Sequence, residues 1–254
     1  MNTMISKIKE NTFLSVLVAL FLGVFVFVIS SYLASFTVPF VEQYVELDFY
    51  TRTIFFKLYM VILSLFTIWI VNNKTFTDYG FVKAKNISYP KMTLISIGFI
   101  IATIVIGNIL FIGIFKQYFP TENTKTFPTD LPILSMILAV WIWSSITEEI
   151  LSRGLVQGFM NHLKDKKFLG LSISVIFSGL FFGAMHLGLL KAGMANWFVG
   201  FTLFNTTIMG TLAAYYREKS KSIIPAIYIH ILFNIVGSAP LIIMRLLDIQ
   251  IPTM

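Results

Sequence analysis

Six polar side chains interrupt apolar stretches of this 254-residue chain: Glu148, Glu149, Arg153, His186, His230 and Asn234. An ionisable group at membrane depth costs about 2.5–3.5 kcal/mol on insertion scales, faces a protein interior or a wet cavity, and marks function by default. Helical spacing sorts the six. Glu149 and Arg153 are four residues apart, so they share a face and can pair; the plain reading of these two is a buried structural ion pair. Glu148 is turned about 100° from Glu149 and need not share its task. His230 and Asn234 repeat the four-residue spacing, as do Phe182 and His186. Taken singly, His186 reads as a residue at a helix end, and His230 with Asn234 as a polar link between membrane helices. The combination argues for chemistry, because two of the chain's three histidines lie in apolar runs beside a carboxylate and an amide. Glu148 has no obvious cation, since Glu149 matches Arg153; Arg153 serving both acids would make the cluster structural. One chemistry open to these types is metal-assisted, with Glu148, His186 and His230 as three zinc ligands and water as the fourth. Against it, no HExxH helix is present.

The elements that must hold these groups are membrane helices. The hydrophobic share is 57%, the charged share 12% and the mean hydropathy +0.83, whereas an ordinary soluble domain has about a quarter of its residues charged. Apolar runs at about 12–35, 53–71, 92–115, 132–160, 168–187, 194–215 and 223–247 are each long enough for a span, which needs roughly 20 residues. The reading is therefore an all-α polytopic membrane helix bundle with about seven transmembrane helices. It forms a single membrane domain over 1–254, with no internal repeat and no Pro/Gly-rich linker. The first run is too long for a signal-peptide core and lacks a small-x-small cleavage site, so it is expected to stay as an anchor.

The chain has no cysteine, which excludes disulfides, thiolate metal sites and cysteine nucleophiles. The formal charge of +7 does not point to nucleic acid, because the basic residues sit between apolar runs. Lys7 and Lys9 precede the first span. Lys74, Lys83, Lys85 and Lys91 follow the second, Lys164, Lys166 and Lys167 the fourth, and Arg217, Lys219 and Lys221 the sixth. The alternate loops are poorer in basic residues: Arg52 stands among acids in the first, with Lys57 just inside the next span, Lys116 and Lys125 in the third, and Lys191 alone in the fifth. Alternating helices put every basic-rich segment on one side, which predicts a cytoplasmic N-terminus and an external C-terminus.

The polar residues also spell motifs. Glu148-Glu149-Ile150-Leu151-Ser152-Arg153 fits EExxxR, Phe182 to His186 fits FxxxH, and His230 to Asn234 fits HxxxN. In order and separation they resemble the CAAX-protease and bacteriocin-processing (CPBP, or Abi) family, over about 132–236; Gly154 and Pro225 agree with it. Ser152 departs, standing where many members carry an aromatic residue. The resemblance implies an intramembrane endopeptidase of the glutamate type without a cofactor. Glu148 would be the general base that activates water and His186 would help hold that water. His230 and Asn234 would stabilise the oxyanion, with Glu149 and Arg153 in support. Lipid and a membrane-associated peptide or protein substrate are the partners implied. Eukaryotic members trim prenylated CAAX tails. Short loops and the lack of a targeting segment suggest a bacterial cell membrane instead, and with it a peptide pheromone, a bacteriocin leader or a membrane protein as substrate. A non-enzymatic reading, as an immunity or scaffold protein that binds a bacteriocin or a partner, stands beside these.

Simple alternation poses one geometric problem. His230 would lie about 10 Å along its helix from the basic side, and His186 about 27 Å, at 1.5 Å per residue. The fifth helix must start outside the membrane, tilt, or be followed by a turn that dips inward.

Overall fold

The computed structural model describes residues 2–118 and 132–247; Lys125 of the third loop lies outside them. A short helix α1 (Asn2–Glu10) leads into α2 (Thr12–Glu42). Then come α3 (Phe49–Val71), α4 (Tyr89–Tyr118) and α5 (Ile133–Phe159). A two-stranded hairpin, β1 (Lys167–Phe168) with β2 (Leu171–Ser172), precedes α6 (Ile173–Met185). After α6 come α7 (Gly188–Lys191), α8 (Asn196–Ser220) and α9 (Ile224–Leu246). Among the described residues seven helical segments are long and apolar enough to cross a membrane, so the chain is a multi-pass membrane protein.

The starts of these helices follow local chemistry. Asn11 accepts from the amide of Leu14, Asp48 from that of Thr51 and Ser172 from that of Val175, each satisfying a donor with no partner in its own first turn. Proline stands in the first turn of α4 and of α9, where its missing N–H costs nothing. The fifth span begins at Ile173 rather than near 168. Leu169 and Gly170 both take positive φ, 50° and 81°, as a tight hairpin turn requires, and this removes 167–172 from the helix.

Lipid replaces much of a protein core. Phe21, Phe25, Phe66, Leu94 and Phe99 are exposed on the outer faces. What α2 buries is mostly small: Ser15, Val16, Ala19, Gly23, Val26, Ser30 and Ala34 form one stripe that lets its backbone approach its neighbours. Small residues serve this purpose in membranes because lipid and side chain are equally apolar. The closest pair is α6 with α8. A β-carbon at Gly179 would lie 2.9 Å from the backbone N and Cα of Thr211, and one at Gly183 would meet the Thr207 side chain. Gly179→Ala is therefore expected to force these helices apart at about 1–3 kcal/mol, seen as a lower Tm in detergent. An unchanged Tm would mean that α6 and α8 do not pack at this distance.

Loops rich in basic residues meet at one end of the bundle. The Lys85 amide donates to Ser220 O at 3.1 Å, Ser222 Oγ to Val82 O at 2.5 Å, Arg217 Nη1 to Asn161 Oδ1 at 3.0 Å, and Lys166 Nζ bonds Thr12 Oγ1. These contacts put the segments after α3, α5 and α8 on the same side as the start of α2, as the charge alternation predicts.

Candidate active site

Helix α5 carries the two acids, and its hydrogen bonding changes around them. Residues Ser145–Glu149 are α-helical, but Ile137–Ser144 before them and Ile150–Val156 after them are wound as the wider π-helix. Such turns are uncommon and often occur at functional sites. The four-residue pairing of Glu149 with Arg153 survives. Arg153 Nη1 donates to Glu149 Oε1 at 3.1 Å. Its Nε lies 3.0 Å from Oε2 but off the hydrogen-bond direction, so that contact is electrostatic. Both residues are 0% exposed. Arg153 Nη2 also donates to Gly210 O on α8 at 2.6 Å, and its guanidinium lies 4.5 Å from the centre of the Phe182 ring. The pair is a cross-brace between α5, α6 and α8.

Glu149 also extends to α9. Its Oε1 lies 3.0 Å from His230 Nδ1. A carboxylate oxygen accepts, so Nδ1 carries the proton and donates. That fixes the ring and leaves Nε2 facing Glu148 Oε2 at 3.9 Å, beyond a direct hydrogen bond. His186 is held by the same logic. Its Nδ1 lies 3.0 Å from Phe182 O, so Nδ1 donates to the carbonyl and Nε2 is left as an acceptor in the neutral ring. The Phe182 ring lies against both imidazoles, 5.2 Å from His230 and edge-on, and 5.5 Å from His186. The later start of α6, five residues beyond the predicted point, takes about 7.5 Å off the distance of His186 along its helix at 1.5 Å per residue. That is less than half of the gap, yet both imidazoles meet the one Phe182 ring.

Glu148 does have a cation, and it comes from elsewhere. Lys57, within α3, donates its Nζ to Glu148 Oε1 at 2.5 Å. Sequence reasoning counted this lysine as a charge near a loop and missed it as a site residue. The signal was available, because two acids and one arginine inside the spans leave one acid unmatched. Among the described residues Glu148 Oε2 accepts no hydrogen bond, and the side chain is 16% exposed. The acid pair thus divides into a sealed member, Glu149, and a member with one committed and one open oxygen, Glu148. Lys57→Met is expected to cost about 1.5–3 kcal/mol, as for a hydrogen bond between charged groups. Lys57→Arg should recover most of it; equal Tm values for all three proteins would show that the contact does not persist in the membrane helices.

Asn234 shares the face of His230, one turn on. Its Nδ2 donates to Val140 O and Ser145 Oγ, both at 3.1 Å, so its two amide hydrogens are engaged with α5. Ser238 continues the seam, donating to Asn234 O and accepting from Trp141 Nε1. All six residues singled out in the sequence therefore lie in one region where α5, α6 and α9 meet, joined by Lys57 of α3. Among the described residues no group of three or more histidines and carboxylates is arranged to hold a metal ion.

No curated protein and no solved structure matches the chain. Residues 130–236 match the family model described as Rce1-like, type II CAAX prenyl endopeptidase Rce1-like. That segment contains all six polar residues singled out in the sequence, but neither Lys57 nor Ser238. Over residues 130–236 the chain is thus similar to the Rce1-like family, in agreement with the CAAX-protease and bacteriocin-processing family that its motifs resemble.

Proposed function

We propose that the protein is an intramembrane endopeptidase that hydrolyses a peptide bond in a membrane-associated peptide or protein, with Glu148 as the base that activates water. Proteases of the matched family act on substrates in or at the bilayer. The observation that carries the reading is the unequal state of the two acids. Glu149 is fully buried, with Oε1 taken by Arg153 and His230 and Oε2 in ion-pair contact with Arg153 Nε, while Glu148 is partly exposed and keeps Oε2 free of hydrogen bonds beside His230 Nε2. Of the two acids only Glu148 is within reach of a water or a substrate, because Glu149 is sealed.

In the proposed step Glu148 Oε2 takes a proton from water as the water oxygen bonds to the carbonyl carbon of the peptide. His186 Nε2, an acceptor, takes the water's second hydrogen bond. The carbonyl electron pair moves to oxygen, and this oxyanion is met by His230 Nε2–H in the imidazolium form, with Glu149 accepting at Nδ1 as orienting carboxylates do. Asn234 adds its amide by exchanging the Ser145 hydroxyl for the oxyanion, a neutral acceptor for a charged one. When the intermediate collapses the C–N bond breaks, and the proton on Glu148 passes to the leaving amine. Donors aimed at developing charge are strongest where water is scarce, which suits a site walled by Phe182 and the apolar flanks of four helices. The basic end of the bundle is read as cytoplasmic, in a bacterial cell membrane.

A chelator separates this mechanism from a zinc-dependent one. Protein purified in detergent, stripped with a strong chelator and assayed for bound metal, is expected to keep full cleavage activity. Loss of activity that zinc restores would overturn the glutamate mechanism.

A further inference from the structure

A cavity of about 730 Å³ lies between α4 and α8, away from the acids. It begins at the basic end of the bundle, beside Lys91, Lys219 and Tyr215, and runs inward past Ile95, Phe99 and Ile208. From Ser88 to Phe99 along α4, and from Lys219 to Ile208 along α8, is in each case about 16 Å at 1.5 Å per residue. Half of a hydrocarbon core of roughly 30 Å is about 15 Å, so the slot has the depth of one leaflet. Phe99 is 51% and Tyr215 40% exposed, so its side is open to lipid. Its polar groups are gathered at the mouth. Lys219 Nζ lies 5.9 Å and 6.0 Å from the centres of the Tyr215 and Tyr216 rings, at the level where tyrosines mark a membrane boundary. Among the described residues neither Lys91 nor Lys219 has a carboxylate within ion-pair distance. None of the proposed site residues lines the cavity. Met92 and Tyr216, which do, pack in one buried cluster with Phe182, so the slot backs onto the layer of side chains behind the two imidazoles.

We propose that this slot binds one anionic glycerophospholipid, with its phosphate at Lys91 and Lys219 and an acyl chain along Ile95, Phe99 and Ile208. Two unpaired ammonium groups at headgroup level select negative charge, as basic pockets between membrane helices do. The apolar depth below them selects a chain and would be useless to a free anion. Lipid in the slot supports α4 and α8 from outside, and α8 holds Arg153 through Gly210 O.

The test is native mass spectrometry of the full chain in detergent, titrated with phosphatidylglycerol and with phosphatidylcholine of the same chains. The parent is expected to prefer phosphatidylglycerol by about thirtyfold, given two lysines at the headgroup level. Lys91→Gln with Lys219→Gln should erase the preference while one lipid of either kind still binds. Leu212→Trp, which fills the slot, should exclude both lipids. Inorganic phosphate should not displace phosphatidylglycerol. Equal binding of the two lipids by the parent would overturn the proposal, and so would a preference that survives the double substitution. Displacement by inorganic phosphate would make the mouth an anion site without a lipid. The lysines are exposed, so the double variant is expected to fold, and it decides the matter if Leu212→Trp does not.

Discussion

Glu148→Gln is expected to lower peptide cleavage by about 10²–10⁴, the range supplied by a general base, with the protein still folded and inserted. Glutamine has nearly the shape of glutamate, and its Oε1 can still accept from Lys57, so the contact between α3 and α5 keeps its geometry. The lost property is the ability to take a proton at the open oxygen. The loss should fall on kcat with substrate binding retained, because the base acts in the transition state. Mass spectrometry of membrane peptides from cells carrying parent or variant would show which product depends on Glu148. If the folded variant cleaves as fast as the parent, Glu148 is not the base, and the cluster is structural. If the parent cleaves nothing yet protects its cell from a bacteriocin, and the variant protects equally, the immunity or scaffold reading gains the advantage.

Arg153→Ala should act through stability first. The side chain is fully buried, braces Glu149, donates to Gly210 O and lies against Phe182. Removing one partner of a buried pair leaves the other charge uncompensated, at about 3–5 kcal/mol. The yield of monodisperse protein and its Tm should both fall. Replacing the pair together, as Glu149→Gln with Arg153→Met, removes the orphaned charge and is expected to recover much of the Tm. It should not recover turnover, because a glutamine holds His230 less firmly than a carboxylate does. Turnover that recovers along with Tm would show that Glu149 has no part in orienting His230. An Arg153→Ala protein as heat-stable as the parent would remove the brace altogether.

Pairings within one helix could be read from the sequence because the period of 3.6 residues fixes them. Glu149 with Arg153 follows from that period alone, as does the shared face of His230 and Asn234, and both hold in the structure. The spans were legible for a similar reason: a bilayer needs about 20 apolar residues in a row, and the chain supplies seven such rows. Boundaries were less so where a local turn overrode composition. The positive φ of Leu169 and Gly170 moved the start of α6, and α2 ran on through Pro39 to Glu42.

The sequence by itself determined that this is a bundle of apolar helices, and which few of them carry the acids, the imidazoles and the amide. Only the tertiary structure decided which groups meet across helices. Lys57 reaches Glu148 from a span outside the recognisable motifs, Glu149 reaches past Arg153 to His230, Phe182 packs against both imidazoles, and Asn234 spends both amide hydrogens on α5. The physical reason lies in the solvent. In water a helix shows its inner face by an apolar stripe, but in a bilayer the lipid side and the protein side are equally apolar. Helices such as α2 and α3 are apolar all round, so their sequences fix neither the rotation nor the depth on which every contact between helices depends.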